Sequence, residues 1–186
     1  MSLPVVALVG RPNVGKSTLF NRLVGEKLSI VDEVPGTTRD RIFSEAEWSG
    51  VHFQVIDTGG IDPSSGGKDP LSVGSAAYIR QIRSQAEVAI HEADAILFVV
   101  DAAAGVTPAD LEVASILRRS QSMREGLPYP PILLVANKAD SAATRAETAQ
   151  FYELGMGEPY PISSIHGTGT GDMLDALLEL LPKQES

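Results

Sequence analysis

An apolar strand that runs straight into a glycine-bounded loop and then a helix leaves a chain few folds. Here Val5-Val6-Ala7-Leu8-Val9 leads into Gly10-Arg11-Pro12-Asn13-Val14-Gly15, and Lys16-Ser17-Thr18 opens a helical pattern. Backbone N–H groups of such a loop point inward, and the helix behind it adds the positive end of its dipole. The arrangement cradles the oxygens of a di- or triphosphate. Residues 11–18 would line that cradle, with the Lys16 ammonium facing the outer phosphates and the Ser17 hydroxyl offered to Mg²⁺.

The rest of the chain repeats the strand and helix alternation. Apolar runs at 5–9, 51–56, 95–100 and 132–136 are separated by helix-like stretches at 16–25, 75–93, 108–121, 142–152 and 172–181. Residues 41–48 read as a further strand, turned onto 51–56 by Ser49-Gly50, and 159–162 as a short last one. Runs apolar at nearly every position suit strands covered on both faces. The expected fold is α/β, a doubly wound and mostly parallel six-stranded sheet with helices on both faces. Thr107-Pro108-Ala109-Asp110 has the order of an N-cap, a first-turn proline and a favourable acid, and reads as a packing feature alone. Residues 62–70 are small and turn-forming, unable to build a core.

At 186 residues with 43% hydrophobic content, the chain fits one domain. Its longest apolar run, 95–100, is too short for a bilayer, and its first residues lack a basic segment followed by an apolar one. With no cysteine there is no disulfide framework or thiolate metal site, so the cytoplasm is the expected compartment. Fifteen Lys and Arg against 24 Asp and Glu leave a net charge of -9, which opposes direct nucleic-acid binding by the domain as a whole.

In doubly wound sheets ligands sit beyond the carboxyl ends of the strands. After 51–56 comes Asp57-Thr58-Gly59-Gly60, where Asp57 can support Mg²⁺ through water and the Gly60 N–H can approach a terminal phosphate. Alone this would be an ordinary turn; one strand from a phosphate loop it reads as a second Mg²⁺ group. After 132–136 comes Asn137-Lys138-Ala139-Asp140. A carboxylate only accepts hydrogen bonds, and guanine presents two adjacent donors where adenine presents an acceptor, so Asp140 selects guanine. Two charge-assisted bonds at roughly 1.5 to 3 kcal/mol each support that discrimination. Asn137 can bond the base edge and tie loops together, and the Lys138 stem can lie along the base. The loop Ser163-Ser164-Ile165-His166-Gly167-Thr168-Gly169 would bring backbone N–H groups to guanine O6, with His166 structural. Between the first helix and second strand, one hydroxyl of Thr37-Thr38 would reach Mg²⁺, making 31–40 a switch ordered by the third phosphate.

These segments resemble the translation-factor-like GTPases, Era-like branch, and within it the first GTPase domain of the Der (EngA) family. Gly10 to Leu23, Pro35-Gly36-Thr37-Thr38-Arg39-Asp40-Arg41, Glu45-Ala46-Glu47-Trp48 and Asp57-Thr58-Gly59-Gly60-Ile61 carry the likeness. It implies that Lys16 binds the outer phosphates, Ser17 and Thr38 ligate Mg²⁺, Asp57 supports the ion, and Asn137 with Asp140 reads guanine. Ser164 stands where the family usually has alanine. The residue after Asp57-x-x-Gly60 is Ile61, which cannot orient water as the glutamine of signalling GTPases does. The likeness then implies K⁺ held by Asn13, the alternative being an asparagine that caps the loop backbone. Arg11, Arg39 and Arg41 are candidate charge stabilisers or plain surface residues. Lys16, Thr38, Gly60 and Asn13 are thus the expected catalytic set.

Family members carry two GTPase domains and a KH-like domain and act in large ribosomal subunit maturation. This chain has one phosphate loop, so the expectation is one G domain of a longer protein, or a short relative. The expected function is Mg²⁺-dependent, K⁺-stimulated hydrolysis of GTP to GDP as a switch in that process. The alternative is a nucleotide-gated binding module with negligible turnover when isolated.

Overall fold

The computed structural model describes residues 3–11, 13–25, 42–58, 76–122 and 130–182. Strands β1 (Val5–Val9), β2 (Ile42–Trp48), β3 (Val51–Asp57), β4 (Ala95–Asp101), β5 (Ile132–Asn137) and β6 (Tyr160–Pro161) form one sheet in the order β2-β3-β1-β4-β5-β6. Among the described strands only β2, paired with β3 through the Ser49-Gly50 turn, runs antiparallel. Ser49 at φ 50° and Gly50 at φ 81° give that two-residue turn the left-handed backbone it needs to match strand twist.

Period two in the strands sorts the core into two layers. Ala7, Val9, Ile96, Phe98, Val100, Leu134 and Ala136 face α2 (Ala76–Glu92), α3 (Pro108–Ser122) and a 3-10 segment (Glu147–Leu154). Val6, Leu8, Leu97, Val99, Leu133 and Val135 face α1 (Lys16–Val24) and α5 (Thr170–Leu180). Burial on both faces explains why β4 is apolar at six successive positions before Asp101. On α5, Met173, Leu174 and Leu177 make the inward stripe expected of residues 172–181. The doubly wound, mostly parallel six-stranded fold expected from the alternation is therefore the one observed.

Two elements differ from the sequence reading. Residues 142–152 were expected as one helix, but α4 is only Ala142–Ala146 and continues as the 3-10 segment. Side chains there bond three residues back, Thr148 Oγ1 to the Arg145 carbonyl at 2.8 Å and Gln150 Nε2 to Glu147 at 3.0 Å, which suits the tighter winding. Strand β6 is two residues instead of four. Its pairing with β5 covers Tyr160 and Pro161, and the Ile162 N–H still donates to the Ala136 carbonyl at 2.9 Å; Pro159 and Pro161, which alternate with those donors, carry no N–H and suit the open side of an edge strand.

The path of the chain reverses at β1. It leaves β1 toward β2 and β3 on one side, then crosses from β3 through α2 to β4 on the other. The carboxyl end of β1 is thus the switch point, where an open sheet leaves a crevice between diverging connections.

Candidate functional site

The loop after β1 turns tightly because two glycines permit it. A Cβ on Gly10 would lie 2.5 Å from the Val99 carbonyl oxygen of the neighbouring strand, and one on Gly15 would lie 2.4 Å from Asn137 Nδ2. Gly15 also sits at φ 91°, the left-handed cap from which α1 starts. Asn13 shares that region at φ 70° without being glycine. Val14 is buried, whereas Asn13, Ser17 and Thr18 are exposed at the mouth of the loop.

Lys16 folds back over the loop. It is 7% exposed, and its ammonium donates to the Gly10 carbonyl and to Gln85 Oε1 of α2 at 3.3 Å. Ser17 Oγ lies 3.4 Å from Asp57 Oδ2 at the end of β3. Those two oxygens, from the first turn of α1 and the next strand, are hard donors of the type Mg²⁺ takes. The buried Thr58 hydroxyl donates to the Leu8 carbonyl at 2.5 Å and fixes the end of β3 against β1.

Asn137, 2% exposed at the end of β5, joins three segments. Its Nδ2 donates to the Val14 carbonyl at 2.9 Å, and its Oδ1 accepts from the Ser164 N–H at 3.0 Å and the Ser164 hydroxyl at 2.8 Å. Lys138, at φ 65°, sends its ammonium to the Asn13 carbonyl at 2.7 Å and to Asp101 Oδ2 at 3.2 Å. Asp101 in turn accepts the N–H groups of Ala103 and Ala104. Asp140 is exposed, and one of its carboxylate oxygens is held by the Ser163 hydroxyl at 2.5 Å. Ile165 is exposed beside them, and the His166 N–H donates to Ser163 Oγ at 3.2 Å.

The structure therefore brings Arg11, Asn13, Val14, Gly15, Lys16, Ser17, Thr18, Asp57, Asn137, Lys138, Asp140, Ser163, Ser164 and Ile165 to adjoining loops at the carboxyl end of the sheet. Pro12, Thr38 and Gly60 lie outside the described residues, as do Arg39, Arg41, Ile61 and the loop at 62–70. Among the described residues, no group of three or more His, Cys, Asp or Glu side chains could hold a metal. Nor is any described helix long and apolar enough to cross a membrane.

Four residues that sequence reasoning missed support the site. Arg22 of α1 donates to the carbonyls of Ser164 and Ile165, the latter at 2.8 Å, clamping their loop. Gln85 touches Lys16, and Asp101 pairs with Lys138. Asp110 of α3 is fully buried and its Oδ1 lies 3.4 Å from Arg11 Nε. Burial raises the Asp110 carboxyl above its ordinary 3.8, against the lowering effect of the Thr107 hydrogen bonds and the Arg11 charge. Each partner comes from a distant element, and no local pattern marks it.

A sequence profile described as 50S ribosome-binding GTPase matches residues 5–138, from the first strand through Lys138. The chain belongs to this GTPase family. Curated relatives include GTPase Der of Geobacillus kaustophilus, 55% identical over 183 residues and 98% of this chain, and GTPase Der of Listeria welshimeri, 54% identical over 185 residues and all of it. The chain spans 38% of the length of each. Among solved structures, an Aquifex aeolicus Era variant bound to GDP.AlF4 superposes with a TM-score of 0.67 at 30% identity, covering all of this chain and 59% of that one. The likeness to Der read from the motifs thus stands, and the chain is a GTP-binding GTPase domain similar to the N-terminal one of Der.

Proposed function

We propose that this domain hydrolyses GTP to GDP with Mg²⁺ and K⁺, as a nucleotide-dependent switch in large ribosomal subunit assembly within a longer protein. One observation carries the nucleotide reading: Asn137 links the phosphate loop, through Val14, to the loop of Ser164, beside the exposed Asp140 carboxylate. A single molecule with phosphates at one end and a purine at the other fits that span.

In this reading the backbone of residues 11–18 and the Lys16 ammonium take the phosphates. Leaving the Gly10 carbonyl for a phosphate oxygen exchanges a neutral acceptor for an anionic one, which strengthens the bond. Asp140 accepts from the guanine edge with one oxygen while Ser163 orients the other, and Ser163, Ser164 and Ile165 supply the backbone facing the base. Ser17 and Asp57, with Thr38, would hold Mg²⁺, which when bound offsets charge on the outer phosphates. Gly60 would meet the terminal phosphate, and Arg11 and Pro12 complete the loop backbone.

Asn13 fits K⁺ through its exposed side-chain amide oxygen, its own carbonyl being taken by Lys138. The Ile61 side chain cannot orient water, and a monovalent cation held at Asn13 would supply positive charge of the kind an arginine provides elsewhere. The family description and the lengths of the curated relatives support a ribosomal partner reached through the longer protein. The cytoplasm is the compartment that fits such a partner.

The deciding experiment is titration calorimetry with GTP, GDP and ATP in Mg²⁺ buffer, with phosphate release followed in K⁺ and in Na⁺. Tight binding of both guanine nucleotides, no heat with ATP and faster release in K⁺ are expected. Equal turnover in the two salts would remove the K⁺ role, and ATP binding as tight as GTP would remove the base assignment.

A further inference from the structure

The Thr107-Pro108-Ala109-Asp110 turn does more than start a helix. Thr107 Oγ1 accepts the Asp110 N–H at 3.3 Å, and Asp110 Oδ2 accepts both the Thr107 N–H and its hydroxyl at 2.9 Å. This is a reciprocal cap, with aspartate in the position usually held by Glu or Gln. Such a cap uses one carboxylate oxygen and ordinarily faces water. Here the carboxylate is fully buried, and a neutral Asn or Ser at this position would satisfy Thr107 without the cost of desolvating a charge. The second oxygen faces Arg11 Nε at 3.4 Å, with the Arg11 side chain 15% exposed. A buried carboxylate persists where a cation is fixed against it.

We propose that Asp110 is a positioning residue for the phosphate loop, anchoring Arg11, the residue after Gly10, to the N-terminal turn of α3. The proposal deepens the nucleotide-binding reading and rests on it. Without nucleotide, Lys16 on the Gly10 carbonyl, Asp110 on Arg11 and Lys138 on the Asn13 carbonyl make three anchors over four residues of loop, and the last two stay when Lys16 turns to a phosphate. The middle anchor alone comes from outside the nucleotide motifs. It also commits the Arg11 Nε edge to α3, so that Arg11 holds the loop instead of reaching for the phosphates as a charge stabiliser. Movement of the α3 N-terminus would thereby be transmitted to the cradle through one ion pair.

Asp110→Asn keeps an acceptor for Thr107 and removes only the charge that holds Arg11, so the cap and the anchor can be separated. Release of N-methylanthraniloyl-GDP is measured by stopped flow for the wild type, Asp110→Asn, Arg11→Gln and the double variant. Each single variant should release the probe about fivefold to tenfold faster, and the double no faster than the quicker single, because both remove the same contact. Amide exchange over residues 11–15, followed without nucleotide, should accelerate in all three. Arg11→Gln reads the contact from the less buried partner, so a fold lost in Asp110→Asn leaves the test standing. Release within about twofold of the wild type, single effects that multiply in the double, or unchanged exchange would overturn the proposal. A wild-type chain that fails to bind the probe would instead refute the nucleotide reading, and the exchange measurement would still decide the anchor.

Discussion

The Asn137 amide donates to the Val14 carbonyl at 2.9 Å, so a side chain at the end of β5 closes a loop that begins at β1. The other end of that amide takes the N–H and hydroxyl of Ser164. Truncation by Asn137→Ala leaves the Val14 carbonyl and the Ser164 N–H without this partner in a buried place. Unpaired buried groups cost about 1–3 kcal/mol each, so with two of them stability should fall by about 2–6 kcal/mol. Urea denaturation of the two proteins checks the figure, and a loss below about 0.5 kcal/mol would show that water repairs the junction.

Base choice should follow the charge at Asp140. In Asp140→Asn an amide donor faces the guanine edge, where two donors already point outward, while xanthine offers a carbonyl to that amide. Affinity for GDP should drop by about two orders of magnitude and xanthosine diphosphate should bind more tightly than GDP. Calorimetry with both diphosphates measures the exchange of preference; an unaltered GDP affinity contradicts it.

Substitution of Gly15 acts through shape. Its φ of 91° disfavours any side chain by about 1–2 kcal/mol, and the added Cβ of Gly15→Ala would press to within 2.4 Å of the Asn137 amide. That amide must then abandon Val14. Nucleotide affinity should fall well beyond what the loss of fold stability accounts for, as seen by comparing GDP titrations with thermal melts of the same preparation.

Asp110 gives the acid limb an unusual slope. Burial raises its folded pKa above the unfolded 3.8, so the native chain takes up this proton at a pH where the unfolded chain has not. The Asp110 contribution therefore improves as pH falls through the folded value and stops improving below 3.8. Carboxylates whose pKa is depressed do the opposite. The stability difference between wild type and Asp110→Asn should shift in favour of the wild type on acidification from neutral pH. Urea melts across that range read it directly, and a difference that shifts toward the variant instead would contradict the buried-charge account.

The strands and their order of appearance were legible because burial on both faces leaves an apolar run that few other structures share. Gly15, Lys16, Ser17, Asn137 and Asp140 were legible because each lies in a polar segment that directly follows an apolar strand, and the structure brings those segments together at the carboxyl end of the sheet. The side chains that hold them were not. Arg22 reaches Ser164 across 142 positions and Gln85 reaches Lys16 across 69, and nothing near either residue announces the partner. The Thr107 cap was readable as a cap, whereas the second oxygen of Asp110 meets Arg11 only through tertiary packing that brings the start of α3 to the loop after β1. Likewise the winding of 147–154 depends on side-chain bonds to nearby carbonyls that a hydrophobic stripe does not record.

The contacts that close the cradle, Asn137 to Val14 and Lys138 to Asn13, span 123 and 125 positions. Local stretches form early and distant ones late, since a long excursion must be ordered before its ends can reward it. During synthesis the loop after β1 would thus emerge long before the residues that close it, and a nascent chain would lack the closed cradle until β5 had docked. Ligand capture then serves as a late reporter of maturation, and excess GDP would stabilise finished molecules while leaving early folding untouched.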